Sequence, residues 1–252
     1  FPFCHKKDRI VVVPPDINRS GSGFTVVDGE IIFGLGAIKN VGEGVVEEIE
    51  AERTQNGSFV SFTDFCRRMT GKKINKRVVE NLIRSGAFDS LNLKRSVLLQ
   101  EFESLMDSIA ASQKNELPGQ ISLFDMEDSG MDMSVEDSFP DRPELPKDKL
   151  LAMEKGSIGM YVSGHPLDGF RSMQFSPGIT TILSVTENEE DRYKADDYVE
   201  MIGIVTDVRQ RRTKRNEIMK YVQIEDLTGT IECIAFPSRM STTRRNTTTS
   251  SR

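Results

Sequence analysis

The sequence predicts an α+β protein in which a helical region is followed by a linker and a small β-domain. Apolar residues recur at helical spacing between residues 34 and 112, whereas they alternate with polar residues from about residue 198 onward. An acidic stretch with several prolines, residues 113–149, separates the two patterns and predicts a linker. At 252 residues the chain is long enough for one large domain or two smaller ones.

Composition and charge exclude several classes of protein. The chain contains no apolar run long enough to span a membrane, and its first residues show no basic-then-apolar pattern. Its three widely spaced cysteines predict reduced thiols in the cytoplasm. The net charge of −6 is unevenly distributed: residues 1–100 carry 15 basic against 12 acidic side chains, residues 101–198 carry 8 against 21, and residues 199–252 carry 10 against 6. Mildly basic ends around an acidic middle predict that the ends contact phosphate.

The helical region opens with a pattern typical of a helix-hairpin-helix. Residues 1–33 contain a β-branched run, a Pro-Pro turn and a β-hairpin signal around Asp28-Gly29. Residues 34–49 then predict two helices joined by a sharp turn at residues 40–42, where Asn and Gly accept a positive φ at low cost. Backbone amides at the start of the second helix would bind a phosphate without reading base sequence. An ordinary helical corner is the alternative interpretation.

A second, degenerate hairpin unit is predicted between residues 59 and 111, with a basic turn at residues 71–77. Two such units could hold both strands of a duplex, with the basic turn supplying counter-charge. The alternative interpretation is that these charges belong to an ordinary solvated surface. The predicted duplex-binding residues are Lys39, Asn40, Val41, Gly42, Lys72, Lys73, Lys76 and Arg77.

A short apolar hook interrupts the acidic linker at residues 120–124. A helix-breaking Leu-Pro-Gly precedes it, and polar residues follow it. An extended segment with a glutamine and two apolar side chains suits a partner's groove, in which the Gln120 amide would hydrogen-bond at one end while Leu123 and Phe124 fill an apolar pocket. The alternative is a small strand packed against its own domain.

Residues 150–197 predict a helical connector, in which His165 precedes a proline in a turn and lacks the partners of a general base. Residues 198–237 predict three strands that resemble the opening of an OB-fold barrel, with any β-meander as the alternative. The loop between the first two strands would contact single-stranded nucleic acid. Its predicted contact residues are Arg209, Arg211, Arg212, Lys214 and Arg215. The Ser/Thr-rich tail, residues 238–252, predicts disorder and looks foreign to the domain.

Six motifs occur in an order that resembles a known family. They are Pro-Pro-Asp-Ile-Asn at 14–18, Phe-Gly-Leu-Gly-Ala-Ile-Lys-Asn-Val-Gly at 33–42, Ser-Gly-Ala-Phe-Asp at 85–89, the hook at 120–124, Ser-Gly-His-Pro-Leu at 163–167 and Glu-Asp-Leu-Thr-Gly at 225–229. From about residue 10 to residue 237 the chain resembles the carboxy-terminal half of the bacterial replicative DNA polymerase III alpha subunits, polymerase family C. The turn at residues 40–42 begins with Asn, whereas most helix-hairpin-helix motifs begin their hairpin with Gly.

This resemblance implies the end of a fingers region at residues 1–33, a tandem helix-hairpin-helix region at 34–112 and a truncated OB-fold at 198–237. It also implies an internal sliding-clamp motif at 120–124, carried by Gln120, Ser122, Leu123 and Phe124. It implies double- and single-stranded DNA, the sliding clamp and other replicase subunits as partners. In this family the catalytic carboxylates, which would hold magnesium in the parent polymerase, belong to sequence amino-terminal to Phe1. The chain alone is therefore expected to be inactive and to need no cofactor, and it is expected to be cytoplasmic. A non-enzymatic repair or recombination scaffold is the alternative, and a nuclease is disfavoured because no metal-ligand cluster is visible.

Overall fold

The computed structural model describes two compact units. It describes residues 11–27, 29–115, 137–188, 191–214 and 216–236. One unit lies within residues 10–164 and is mainly helical, and the other begins at residue 165 and contains an antiparallel sheet. The predicted α+β class is therefore confirmed, whereas the finer domain boundaries stay a prediction.

A small sheet opens the first unit. Strands β1 (Val11–Val13), β2 (Thr25–Val27) and β3 (Glu30–Ile32) lie in the order β1-β3-β2, with β1 parallel to β3 and β2 antiparallel to it. Val27 pairs with Glu30, and Gly29 has a φ of 81°. The predicted hairpin around Asp28-Gly29 is therefore confirmed.

Among its described residues, this unit also contains five α-helices. They are α1 (Glu43–Asn56), α2 (Phe62–Met69), α3 (Lys76–Ser85), α4 (Arg95–Asn115) and α5 (Lys147–Ile158). The ends of α3 have local causes: the Asn75 side chain accepts the amide of Val78 at 3.0 Å, and Gly86 closes the helix with a φ of 83°.

The core of the first unit is a phenylalanine cluster reached from several elements. Phe62 and Phe65 of α2 each lie 4.9 Å, centroid to centroid, from the ring of Phe88. The first of the six motifs packs against this cluster: Ile17 is fully buried, and the Asn18 side chain exchanges two hydrogen bonds with the backbone of Phe59, at 2.8 and 2.9 Å. The motif is therefore explained by packing and backbone pairing.

The second unit contains two short helices and a meander. They are α6 (Arg171–Gln174), α7 (Ile182–Glu187), β4 (Ile204–Arg212), β5 (Ile218–Glu225) and β6 (Thr230–Ala235). The strands are antiparallel in the order β4-β5-β6, which is consistent with a truncated OB-like fold. Asp226, in the β5–β6 turn, accepts the amides of Ile182 at 2.9 Å and Thr228 at 2.7 Å and so joins the turn to α7.

Glu52, on the buried side of α1, is the shared partner of two cations. Its carboxylate accepts Arg68 Nε at 2.9 Å and Asn56 Nδ2 at 2.7 Å, and it also accepts the ammonium of Lys72. The hydrogen bond from Lys72 outweighs burial and lowers the pKa of Glu52 to about 2. The ionised carboxylate therefore ties α1 to α2 and to the turn that follows α2.

Replacing Glu52 by glutamine should lower the free energy of unfolding by about 2 kcal/mol at neutral pH, because two cations lose their charged acceptor. The folded carboxyl has a depressed pKa, so its stabilising effect is present above the ordinary glutamate pKa and is lost as the pH falls towards about 2. Urea unfolding followed by circular dichroism at several pH values measures both effects. The control is Glu47→Gln, on the exposed side of the same helix. A stability difference that does not narrow on acidification would contradict this account.

Candidate nucleic-acid interface

The first arm of the predicted hairpin is a single 3-10 turn, Leu35–Ala37, and not a longer helix. Gly34 and Gly36 lie directly on the backbone of the preceding loop. A Cβ at these positions would come within 2.5 Å of Gly23 and 2.7 Å of Ser22, so the approach requires glycine. The sequence pattern indicated the hairpin correctly but overestimated the helical length of its first arm.

The turn itself has the predicted geometry. Asn40 has a φ of 65°, which confirms the expected positive φ, while Gly42 is extended and forms the N-cap of α1 without a side-chain cap. Val41 is only 5% exposed, so only its backbone could reach DNA. The first amides of α1, at Glu43 and Gly44, have no acceptor within the helix. The start of α1 therefore offers amides and the positive end of the helix dipole to an anion.

The cations of the basic turn differ in their availability. Lys72 is bound by Glu52. The ammonium of Lys76 lies 2.8 Å from Asp107, and this hydrogen bond raises the pKa of Lys76. The ammonium of Lys73 lies 3.9 Å from Glu48, and its side chain is 66% exposed. Lys72 is therefore engaged within the fold, and its predicted contact with DNA stays a prediction.

Three predicted residues, Lys39, Asn40 and Arg77, line one groove of about 530 Å³ in the first unit. The groove lies between the hairpin, α3 and α5, and the amide of Lys39 donates to Ser157 of α5 at 2.8 Å. Further lining residues that the sequence analysis missed are Arg84, Lys149, Ala152, Met153 and Gly156. No local signal could have found the four residues of α5, because that helix is separated from the hairpin by about a hundred residues of chain, and Arg84 lies on α3, more than forty residues after the hairpin.

A buried ion pair holds α5 in this position. Arg95 Nη1 lies 3.1 Å from Glu154 Oε1, with the two side chains 6% and 1% exposed. Arg95 also contacts Asp89 at 2.6 Å, and the other Glu154 oxygen accepts the amides of Val162 and Ser163 at 3.1 and 3.0 Å. Burial lowers the pKa of Arg95, but hydrogen bonding and the charges of Asp89 and Glu154 outweigh it and raise that pKa above its ordinary value. Both charges are thus paired and hydrogen-bonded, as buried ions require.

The predicted hook residues Gln120, Ser122, Leu123 and Phe124 lie outside the described residues, so their role stays a prediction. The segment after them, residues 137–146, is named the strap. Its Asp137 accepts the amides of Phe62 and Thr63, both at 2.8 Å, and so caps α2.

The other end of the strap caps α4. Glu144 accepts the amides of Arg95 at 2.8 Å and Ser96 at 3.0 Å, and Lys94 contacts Asp141 at 2.6 Å. Burial raises the pKa of Glu144, and backbone hydrogen bonds outweigh this and lower it overall. The chain that contains the hook is therefore attached to the first unit by α4 on one side and by the strap on the other.

The predicted single-strand-binding loop begins later than expected. Arg209, Arg211 and Arg212 lie within β4, and the turn contains Lys214. Arg215 lies outside the described residues. The prediction that the loop starts at residue 209 was wrong, because β4 and β5 stay paired as far as Arg212 and Ile218. Residues 209–212 are all polar and exposed, so alternation of apolar and polar side chains could not indicate that the strand extends this far.

Two of these arginines share one face of the sheet. Arg209 pairs directly with Tyr221 in the strand register, and the Arg211 guanidinium lies 5.6 Å from the centroid of the same ring. Arg209 also contacts Glu232 and lies 3.2 Å from Asp207. The face therefore combines an aromatic ring with cations, although one of the cations is already paired.

His165 forms part of a turn, as predicted. Its amide donates to Asp168 at 2.7 Å, its Nδ1 accepts the amide of Leu167 at 3.1 Å, and its Nε2 lies 4.0 Å from Glu225. Over the described ranges, no group of three His, Cys, Asp or Glu side chains is arranged to hold a metal ion. None of the described helices is long and apolar enough to cross a membrane.

Comparison with known proteins begins with the helical region. The family model described as "Helix-hairpin-helix motif" matches residues 9–98, which contain the hairpin and helices α1 to α3. This match favours the helix-hairpin-helix interpretation over an ordinary helical corner.

Longer matches are to subunits named DNA polymerase III subunit alpha. The chain is 38% identical to that of Borreliella burgdorferi over 228 residues and 39% identical to that of Neisseria meningitidis serogroup B over 229 residues, each match covering 90% of this chain and 19% of the relative. It is 36% identical to that of Mycobacterium tuberculosis over 239 residues, 94% of this chain and 20% of the relative. The predicted resemblance is confirmed, and the chain spans about a fifth of the length of these relatives.

Proposed function

We propose that this chain is the duplex-binding and clamp-tethering portion of a bacterial replicative DNA polymerase. The observation that carries the proposal is a helix-hairpin-helix turn next to a cation-lined groove, in a chain that is similar to DNA polymerase III alpha subunits over about nine-tenths of its length. Sequence-independent binding suits a replicative enzyme, which must hold every product duplex equally well.

The hairpin would bind the sugar-phosphate backbone. The first amides of α1 donate hydrogen bonds to a phosphate, and the exposed side chains of Lys39 and Asn40 flank them. Glu43, in the first turn, disfavours an anion there, so neighbouring cations must compensate for it. Arg77, exposed in the first turn of α3, is suited to this role.

The hook would tie this unit to the sliding clamp. The Gln120 amide would hydrogen-bond at one end of a clamp groove while Leu123 and Phe124 fill an apolar pocket. Ser122 completes the motif that the resemblance assigns to clamp binding. The anchored strap supports this proposal, because a segment attached at both ends to the duplex-binding unit would keep the bound clamp close to the duplex. A short tether raises the effective concentration of the second contact.

The parent protein would be a DNA-directed DNA polymerase that acts in the cytoplasm with magnesium and other replicase subunits. The chain alone is expected to be inactive, as the resemblance implies. Arg211, Arg212 and Lys214 would contact single-stranded DNA, as OB-like folds do. The alternative repair scaffold is less favoured, because the relatives described above are polymerase subunits.

Replacing Gly42 by aspartate should weaken binding of the chain to a short labelled duplex about tenfold, because a carboxylate at the N-cap occupies the amides and repels phosphate. The same change should not reduce stability, since aspartate is a favourable N-cap. Fluorescence anisotropy and thermal unfolding measure the two effects. The control is Gly42→Ala, whose Cβ has open space. Unchanged duplex binding by the aspartate variant would contradict the proposed role of the hairpin.

Replacing Gln120, Leu123 and Phe124 together by alanine should reduce affinity for the cognate sliding clamp at least tenfold, because the anchoring side chains of the hook are lost. Duplex affinity should stay the same. Surface plasmon resonance with immobilised clamp measures the first effect. A matched control replaces Met126, Met131 and Met133 of the same acidic segment by alanine. Equal clamp binding by both triple variants would refute tethering through this hook.

A further inference from the structure

We propose that the groove between α3 and α5 holds a second nucleotide of the duplex backbone, next to the phosphate at the hairpin. This inference rests on the proposed function and extends it to a helix outside the helix-hairpin-helix match, since α5 begins at Lys147 and the match ends at residue 98. Lys39 and Asn40 belong to both the hairpin and the groove, so the two sites are continuous.

The charge of the groove favours a phosphate. The groove is lined by four cations, Lys39, Arg77, Arg84 and Lys149, and by the carboxylate of Glu80. Arg84 lies 2.7 Å from Glu80 and neutralises it. Across the described residues the other three cations have no ion-pair partner, so their charge is available to a ligand.

The apolar part of the groove lining favours the sugar of a nucleotide. Ala152 and Met153 of α5 present apolar surface beside the cations. A volume of about 530 Å³ exceeds what a phosphate alone would fill. A deoxyribose against the apolar wall, with its phosphate at Arg77 and Lys149, matches this combination of surfaces.

Gly156 is an independent observation that indicates close approach of a ligand. It lies in the last turn of α5 and lines the groove, and within the described structure a Cβ at this position would meet nothing within 4 Å. Glycine inside a helix is destabilising relative to alanine. Packing therefore does not explain this residue, whereas access of a ligand to the helix backbone does.

The test measures binding of the full chain to a labelled duplex of about 20 base pairs between about 50 and 200 mM salt. Arg77→Ala and Lys149→Ala should each weaken binding about three- to tenfold and reduce the slope of log affinity against log salt by about one. The matched control is Lys147→Ala, an exposed lysine on the same helix that does not line the groove.

Gly156→Ala separates a ligand site from a structural role. It should raise the Tm by about 2–4 °C while weakening duplex binding at least threefold, because the added methyl group would keep the ligand away from the helix backbone. Unchanged binding by this variant, or equal effects of Lys147→Ala and Lys149→Ala, would overturn the groove proposal. The proposed role of the hairpin would still stand if Gly42→Asp weakened duplex binding. Failure of the unmodified chain to bind duplex would instead overturn the proposed function. If dAMP competed with the duplex at concentrations as low as those of the duplex itself, the groove would be a site for free nucleotides, and the groove proposal would be wrong.

Discussion

The buried ion pair between Arg95 and Glu154 is the interaction on which the candidate interface depends. It joins the start of α4 to the middle of α5, and α5 forms one wall of the groove beside the hairpin. Removing either partner would leave an unpaired charge in the interior, which costs about 3–5 kcal/mol. The position of a helix far along the chain is thus fixed by electrostatics in the interior, and the hairpin gains cations that its own segment does not supply.

The same arginine explains one of the six ordered motifs. In the Ser-Gly-Ala-Phe-Asp segment, Gly86 closes α3 with a φ of 83°, Phe88 enters the aromatic core, and Asp89 contacts Arg95 at 2.6 Å. A Cβ on Gly86 would come within 2.2 Å of the Arg95 guanidinium. The motif therefore positions Arg95, and any influence of the motif on duplex binding would be indirect, through the placement of α5.

Local features were predictable from the sequence, and long-range ones were not. The positive φ at Asn40 and the β-hairpin before it follow from residue types within a few positions. The groove depends on contacts between residues about sixty to a hundred and twenty positions apart, such as Arg95 with Glu154 and Lys39 with Ser157, for which periodicity gives no signal. Likewise, Lys72 looked like a free cation in the sequence, and only the fold shows that Glu52 binds it.

The strap connects the two activities that we propose. Asp137 and Glu144 cap α2 and α4, so the chain returns to the first unit after the segment that contains the hook. A clamp bound at the hook would therefore be tied to the helices that we propose to hold duplex. Such an arrangement would suit an enzyme that must stay on DNA through many cycles of synthesis.

The central claim is that the hairpin and α5 together form one duplex-binding surface. Amide hydrogen exchange of the full chain, with and without a duplex of about 20 base pairs, tests this claim directly, because bound backbone amides are protected. We expect duplex to slow exchange both around residues 40–44 and around residues 149–156, with little change in β4 to β6. Protection at the hairpin without protection of α5, or protection confined to the β-strands, would contradict the claim.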